Sequence, residues 1–115
     1  NCDSEVDQLV LKTPIQTPYA YAFAGGKRIV ATHGHLIESD AAKDEAARTM
    51  RADVFITGHI HTNVLEKRGA TVFVNPGSPS LSKREDGRAT IALMTDEKIT
   101  ILDLDMDEVL MELKF

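Results

Sequence analysis

Short apolar runs separated by turn residues recur along the chain and predict β-strands. Several runs alternate apolar with polar or small residues, which is the period of a strand with one buried face. Glycine-containing turns join two pairs of neighbouring runs, so we expect two β-hairpins. The predicted strands are Tyr19–Phe23, Lys27–Thr32, Asp53–Thr57, Asn63–Lys67, Thr71–Asn75, Ala89–Met94, Ile99–Leu104 and Val109–Leu113.

Two segments have helical rather than strand-like patterns. Residues Ser39–Met50 are rich in alanine and charged residues, with apolar residues four positions apart, and this predicts a helix. A weak capping box predicts a shorter helix over Ser4–Val10. Strands with a helix between them indicate an α/β fold. We expect one mixed, mostly antiparallel sheet of about six or seven strands with one or two helices.

The composition is that of an ordinary globular protein. The 115 residues are 43% hydrophobic, and a domain of this size buries roughly two-thirds of its unfolded surface. No apolar run approaches the ~20 residues that cross a bilayer, so we expect no membrane partner. The formal net charge of -5 argues against a general nucleic-acid-binding surface. The single cysteine excludes an internal disulfide framework and no signal peptide is visible, which together indicate the cytoplasm.

All four histidines belong to two copies of one pattern. His33-Gly34-His35 follows Arg-Ile-Val-Ala-Thr, and His59-Ile60-His61 follows Val-Phe-Ile-Thr-Gly. Each pair thus emerges where a predicted strand ends, and residues i and i+2 of an extended chain point the same way. Neutral imidazole is the commonest protein ligand for metals, so the two pairs predict a metal site. The alternative is that each histidine is a hydrogen-bonded polar residue at a sheet edge.

Four motifs follow one another along the chain. They are Asn1-Cys2-Asp3, Thr32-His33-Gly34-His35, Gly58-His59-Ile60-His61 and Asn75-Pro76-Gly77-Ser78. In order and interval they resemble the second half of a calcineurin-like metallophosphoesterase, and most closely the small bacterial and archaeal phosphodiesterase branch. The resemblance covers essentially the whole chain. It implies a sandwich of two β-sheets flanked by helices, with two divalent metal ions between the sheet ends.

The resemblance also implies which residues bind the metals. Asn1, through its side-chain carbonyl, His33 and His59 would be ligands of one ion, and His61 would be a ligand of the other. Mn²⁺ is the expected metal, with Zn²⁺, Ni²⁺ or Fe as alternatives, because nitrogen and oxygen ligands select poorly among them. Two such ions can clamp a phosphate and activate a water molecule for in-line attack. The resemblance to the phosphodiesterase branch implies that the substrate is a small-molecule phosphodiester.

Cys2 departs from the commoner family motif, which has a histidine that assists the leaving group or holds the phosphate. A thiol with a pKa near ~8.5 is a poor substitute for imidazolium. His35, which the resemblance assigns to neither metal, is the candidate replacement. Its alternative role is to support a metal ligand or to hydrogen-bond the backbone. The bacterial phosphodiesterases also carry cysteine here, so the departure does not itself imply inactivity.

Two further features have supporting roles in this interpretation. Asn75-Pro76-Gly77-Ser78 predicts a rigid turn close to the histidine loop, which supports the loop rather than contacting substrate. Lys83 and Arg84 could meet a phosphate, although a charge pair in a surface loop is more often simply solvated.

Part of the family's machinery is missing from the sequence. The Asp-x-His and Gly-Asp motifs of the family's first half do not occur, and the chain begins inside a motif. We therefore expect residues 1–115 to be a single partial domain, a C-terminal fragment that is inactive by itself. Its uncovered apolar face would favour self-association, so a homo-oligomer is one possible state. The alternative functions are a non-catalytic binding scaffold with the same fold and a cupin-like mononuclear metal protein.

Overall fold

The computed structural model describes Leu9, residues 11–12 and residues 14–115 of the chain. Eight strands and a ten-residue helix, α1, lie within residues 14–115. The strands are β1 (Tyr19–Ala24), β2 (Lys27–Thr32), β3 (Val54–Thr57), β4 (Asn63–Arg68), β5 (Thr71–Pro76), β6 (Thr90–Met94), β7 (Lys98–Asp103) and β8 (Val109–Lys114), and α1 (Asp40–Thr49) lies between β2 and β3. Asn1, Cys2 and, apart from Leu9, the predicted helix over Ser4–Val10 lie outside the described residues.

The two predicted hairpins and the helix predicted over residues 39–50 are confirmed. β1 and β2 pair antiparallel across Gly25 and Gly26, and both glycines have positive φ, as a tight two-residue turn requires. β4 and β5 also pair antiparallel. α1 begins after Ser39, whose hydroxyl accepts from the backbone N–H of Ala42 over 3.1 Å. In the described part of the chain, no helix has the length and apolar character needed to cross a membrane.

The strands form two sheets rather than one. The larger sheet has five strands in the order β1-β2-β3-β5-β4, and the smaller is the antiparallel sheet β6-β7-β8. The prediction of one sheet of about six or seven strands is therefore wrong, whereas the two-sheet arrangement implied by the family resemblance is confirmed. Alternation along a strand indicates that one face is buried, but it does not tell whether a helix or a second sheet covers that face.

The central strands of the larger sheet are covered on both faces. On one face α1 packs against the central strands, where the buried residues are Val30, Ala47, Ala52, Phe55 and Phe73. On the other face lies the smaller sheet, and the buried residues are Val54, Val72, Val74, Ile99 and Ile101. Neighbours on a strand point to opposite faces, so β3 contributes Val54 to one cluster and Phe55 to the other. The result is three layers, a helix and two sheets, around two apolar cores.

β2, β3 and β5 run parallel beside one another and so end at the same edge of the larger sheet. Thr32 at the end of β2 pairs with Thr57 at the end of β3. The segments at the ends of these three strands carry both histidine pairs and the Asn75-Pro76-Gly77-Ser78 turn. Binding sites in sheets of this kind usually lie at the carboxyl ends of parallel strands. The topology therefore gathers three of the four motifs at one edge.

Candidate metal centre

The two histidine loops are joined where they leave the sheet. His33 follows β2 directly, and its carbonyl oxygen accepts a hydrogen bond from the N–H of Gly58 over 3.0 Å. Asn75 on β5, itself 1% exposed, donates from Nδ2 to the carbonyl oxygen of Gly58 over 2.8 Å. These bonds satisfy backbone groups of Gly58 just beyond the end of β3. The residue before His59 is therefore held from both neighbouring strands.

His59 and His61 have left-handed backbone conformations, with φ of 71° and 56°. Residues other than glycine adopt this region uncommonly, and such residues cluster at functional sites. The N–H of Ile60 donates to the carbonyl oxygen of Gly58 over 2.9 Å, which closes a tight turn. The prediction that His59 and His61 project together from an extended chain is therefore wrong. The loop turns at each histidine, and the two side chains contact different partners.

Among the described residues, ring contacts join His33, His35 and His59 into one cluster. The ring centroids are 5.2 Å apart for His33 and His35, 5.1 Å for His33 and His59, and 6.3 Å for His35 and His59. Nε2 of His33 lies 3.2 Å from Nδ1 of His59. Two imidazole nitrogens that bind one ion at about 2.1 Å, with about 90–110° between the bonds, are about 3.0–3.4 Å apart. The pair therefore fits a shared cation.

His33 and His35 have different surroundings although they are two residues apart. Partial burial lowers the pKa of His33, and the neighbouring histidines lower it further. A lowered pKa favours the neutral ring, which has the lone pair that a metal requires. His35 is exposed, and together with His33 it lines a cavity that also contacts Gln16, Thr17 and Leu36. His33 is thus suited to bind a cation, and His35 is accessible to a small molecule in the cavity.

His61 contacts the loop that follows β5. Its Nδ1 is 3.0 Å from the carbonyl oxygen of Leu81, and the N–H of Lys83 donates to the carbonyl oxygen of His61 over 2.9 Å. The hydroxyl of Ser78 accepts from the N–H of Leu81 over 2.8 Å, which fixes this loop. A carbonyl oxygen can only accept, so Nδ1 of the neutral ring carries the hydrogen and Nε2 has the lone pair. His61 is therefore set to bind a cation through Nε2.

Glu38 contacts the other side of His59. Its Oε1 lies 3.1 Å from Nε2 of His59. The sequence offers no signal for this contact, because Glu38 lies between the first histidine pair and α1 and belongs to none of the four motifs. The contact depends on the path of the loop after β2, which local sequence does not specify.

The turn Asn75-Pro76-Gly77-Ser78 has the supporting position that the sequence predicted. Oδ1 of Asn75 accepts from the N–H of Gly77 over 3.0 Å, while its Nδ2 holds the loop before His59. Gly77 has φ of 80°, and an added Cβ would clash with Oγ1 of Thr90 and Nδ2 of Asn63. Only glycine satisfies both the conformation and the space at this position.

Arg84 is paired inside the loop after β5. It donates from Nε and Nη2 to the two carboxylate oxygens of Asp86 over 2.9 and 2.8 Å, and from Nη1 to Oδ1 of Asn63 over 2.5 Å. The hydrogen bonds with Asp86 raise the pKa of Arg84 and hold the pKa of Asp86 well below its usual range. These bonds direct the guanidinium into the loop, so Arg84 stabilises the loop rather than offering a phosphate contact.

The described residues do not form a complete metal site. No group of three or more His, Cys, Asp or Glu side chains among them is arranged to hold an ion. His33 and His59 provide two converging nitrogens. The predicted ligand Asn1 and the predicted catalytic residue Cys2 lie outside the described part of the chain.

Comparison with known proteins places the chain in a family. The family model for the calcineurin-like phosphoesterase superfamily domain matches residues 1–98. Phosphodiesterase YfcE from Escherichia coli (strain K12) is 33% identical over 105 residues, which cover 91% of this chain and 54% of YfcE. The chain thus spans about half the length of the curated relatives it matches.

Solved structures share the fold over most of the chain. YfcE, a phosphoesterase from E. coli, has a TM-score of 0.77 at 32% identity, over 98% of this chain and 59% of that one. A protein from Streptococcus pneumoniae TIGR4, described as a predicted phosphoesterase, has a TM-score of 0.74 at 26% identity. The match covers 85% of this chain and 61% of that one. Vps29 from Entamoeba histolytica, solved with zinc, has a TM-score of 0.66 at 22% identity, and the match covers 88% of this chain and 63% of that one. This likeness shows the fold alone. The cupin-like alternative is therefore wrong.

Proposed function

The chain belongs to the calcineurin-like phosphoesterase superfamily, and on this premise we propose that the protein is a metal-dependent phosphodiesterase. The observation that carries the proposal is the 3.2 Å separation of His33 Nε2 and His59 Nδ1 at the edge where parallel strands end. The name of YfcE, a phosphodiesterase 33% identical to this chain, supports the substrate class. The substrate in this proposal is a small-molecule phosphodiester.

The proposed ligands divide between two divalent ions. His33 and His59 bind one ion through Nε2 and Nδ1, Asn1 adds its side-chain carbonyl oxygen, and His61 binds the second ion through Nε2. Imidazole and oxygen donors suit Mn²⁺, our first choice, and also Zn²⁺, Ni²⁺ or Fe. Two cations repel each other strongly, so further oxygen ligands are needed, and the family's Asp-x-His and Gly-Asp motifs are absent from the sequence. We propose that another part of the protein, beyond these 115 residues, supplies them.

When bound, divalent ions would neutralise charge on the phosphate and lower the pKa of a water molecule toward ~7. The residues of this chain hold the ions, admit the substrate and assist the leaving group. The phosphate approaches from the cavity that His33 and His35 line. We propose that the protonated ring of His35, which is exposed at this cavity, donates a proton to the leaving oxygen. Cys2 is the second candidate for this step, because of its position in the Asn1-Cys2-Asp3 motif.

Metal analysis and a diesterase assay on the full protein test the proposal. With Mn²⁺ added, we expect two bound ions per chain and hydrolysis of bis(p-nitrophenyl) phosphate. His59→Ala should remove most of this activity, because its ring provides one of the two converging nitrogens. Glu45→Ala changes an exposed side chain on α1 and is the control, which should keep full turnover. Unchanged turnover in His59→Ala would contradict the proposal, and protein with neither metal nor turnover would favour the scaffold alternative.

The 115-residue chain by itself should behave differently from the full protein. It carries Asn1, His33 and His59 for one ion but His61 alone for the other, and we expect it to bind a single ion weakly and to lack turnover. Calorimetric titration with Mn²⁺ and the same diesterase assay check both points. Two tightly bound ions together with turnover would contradict this division of the ligands.

A further inference from the structure

We propose that Glu38 is a positioning residue that fixes the tautomer of His59, so that Nδ1, the ring nitrogen that faces His33, keeps its lone pair. This inference rests on the proposed function, because it assumes that His59 binds a metal. Oε1 of Glu38 lies 3.1 Å from Nε2 of His59, and Nδ1 of the same ring lies 3.2 Å from Nε2 of His33. A carboxylate therefore contacts one nitrogen of the ring and an imidazole contacts the other.

The carboxylate decides which nitrogen of His59 carries the hydrogen. An ionised carboxylate can only accept, so the neutral ring donates from Nε2 and keeps its lone pair on Nδ1. That lone pair is on the side of His33 Nε2, where both nitrogens can share one cation. In metal sites, the hydrogen bond to the second ring nitrogen sets which nitrogen binds the metal and raises its basicity. Glu38 is arranged to do this for His59.

The backbone on both sides of Glu38 is fixed. Before it, the N–H of Ile37 donates to the carbonyl oxygen of Gly34 over 3.2 Å, and the Ile37 side chain packs against the core beneath α1. After it, Ser39 caps α1. Glu38 is thus held between a closed turn and a helix cap, so little backbone entropy is lost when its side chain reaches His59.

His59 needs support of this kind. Hydrogen bonds of Gly58 hold the backbone before His59, but rotation of the ring about χ1 and χ2 is set by the contacts of the ring itself. The Glu38 side chain is 68% exposed, and an ion pair that exposed adds little to the stability of the fold. The choice of tautomer needs only a directional hydrogen bond. We therefore expect Glu38 to act on metal affinity rather than on folding.

The test compares Glu38→Ala, Glu38→Gln and the matched control Glu45→Ala in the full protein. Glu45 is also an exposed glutamate, and its ion pair with Arg48 lies within α1. Histidine ¹⁵N NMR of metal-free protein reports the His59 tautomer at about pH 8, well above the ordinary histidine pKa of ~6.5. Calorimetry then gives the Kd for Mn²⁺.

We expect Glu38→Ala to give a mixture of His59 tautomers and to weaken Mn²⁺ binding about tenfold. Glu38→Gln keeps an acceptor oxygen but its amide can also donate to Nε2, so its tautomer ratio and Mn²⁺ affinity should lie between those of the wild type and Glu38→Ala. Glu45→Ala should match the wild type. At saturating Mn²⁺ the kcat of Glu38→Ala should return close to the wild-type value, because Glu38 positions His59 and is not a catalytic residue.

The inference is overturned if Glu38→Ala has the wild-type tautomer and the wild-type Mn²⁺ affinity. It is also overturned if Glu38→Ala loses a bound ion outright, because Glu38 would then be a ligand. The tautomer measurement requires no turnover. Failure of the phosphodiesterase proposal would therefore appear as inactive protein whose His59 tautomer still depends on Glu38, and the two failures are distinguishable.

Discussion

Asn75 donates from Nδ2 to the carbonyl oxygen of Gly58 over 2.8 Å, so a buried amide on β5 holds the loop that carries His59. The same side chain accepts from the N–H of Gly77 over 3.0 Å. One amide therefore links β5, the turn after it and the histidine loop. An amide can donate and accept at once, and a buried backbone group that loses its partner is costly.

Asn75→Ala should lower both the free energy of unfolding and the affinity for Mn²⁺. Thr71→Val is the matched control, because Thr71 lies at the other end of β5 and its buried hydroxyl donates to the carbonyl oxygen of Ala52 over 2.8 Å. Each change should reduce the free energy of unfolding by about 1–3 kcal/mol. Urea unfolding and Mn²⁺ titration measure the two effects. If Thr71→Val weakened Mn²⁺ binding as much as Asn75→Ala, the link from Asn75 to the histidine loop would be refuted.

Gly77→Ala should destabilise the protein more than Gly69→Ala. Both glycines have positive φ, 80° and 60°, so both changes carry the cost of a left-handed alanine. Only at Gly77 would the new Cβ also clash, with Thr90 and Asn63, whereas Gly69 has open space around it. We expect the free energy of unfolding to fall by roughly 2–5 kcal/mol in Gly77→Ala and by roughly 1–2 kcal/mol in Gly69→Ala. Equal losses in urea unfolding would mean that Thr90 and Asn63 move aside at little cost.

Local signals in the sequence were enough to predict most elements of the fold. Gly25 and Gly26 mark a hairpin turn and Ser39 marks the start of a helix. Both signals depend on interactions between residues only a few positions apart. The positions of His33 and His59 at strand ends follow from the apolar runs before them. The apolar pattern did not predict the number of sheets, because that number depends on how β6, β7 and β8 fold back onto the larger sheet. Only the family resemblance implied two sheets.

The backbone conformation and the side-chain contacts of the site could not be predicted from the sequence. The left-handed conformation of His59 follows a Gly58 that donates to the carbonyl oxygen of His33 and accepts from Asn75, and no local pattern predicts it. Glu38 and His59 are 21 positions apart, and their contact exists because β2 and β3 are adjacent and parallel. Such relationships come from tertiary packing, which periodicity and motif spacing do not contain.

Asp86→Asn should destabilise the protein near neutral pH, and this effect should fade in acid. Hydrogen bonds from Arg84 hold the pKa of Asp86 well below its usual range, so the folded protein binds this proton less tightly than the unfolded chain does. The stabilisation is therefore complete above the ordinary aspartate pKa of about 3.9 and is lost as the pH falls through the lower folded value.

Urea unfolding of wild type and Asp86→Asn, measured from neutral pH to strongly acidic pH, tests this expectation. The difference in the free energy of unfolding between the two proteins should shrink as the pH falls below about 4. In an Arg84→Gln background, Asp86→Asn should have a weaker pH dependence, because the main donor that lowers the pKa of Asp86 is gone while the N–H of Arg88 still donates to it. An equally steep pH dependence in that background would assign the shift to another partner.

His35→Ala should slow diesters with poor leaving groups far more than diesters with nitrophenolate. His35 is exposed at the cavity that it shares with His33, where it can reach a leaving oxygen, and only an alkoxide requires a proton to leave. We expect a loss of about 10²-fold or more in kcat/KM for an alkyl diester and less than about 10-fold for bis(p-nitrophenyl) phosphate.

His35→Asn keeps a polar side chain without a transferable proton, so it should show the same contrast. Cys2→Ala is the comparison that separates the two candidates, because the contrast would move to this variant if the thiol supplied the proton. An equal loss on both substrates in His35→Ala would instead mean that His35 supports the neighbouring ring of His33, at a centroid distance of 5.2 Å, and takes no part in proton transfer.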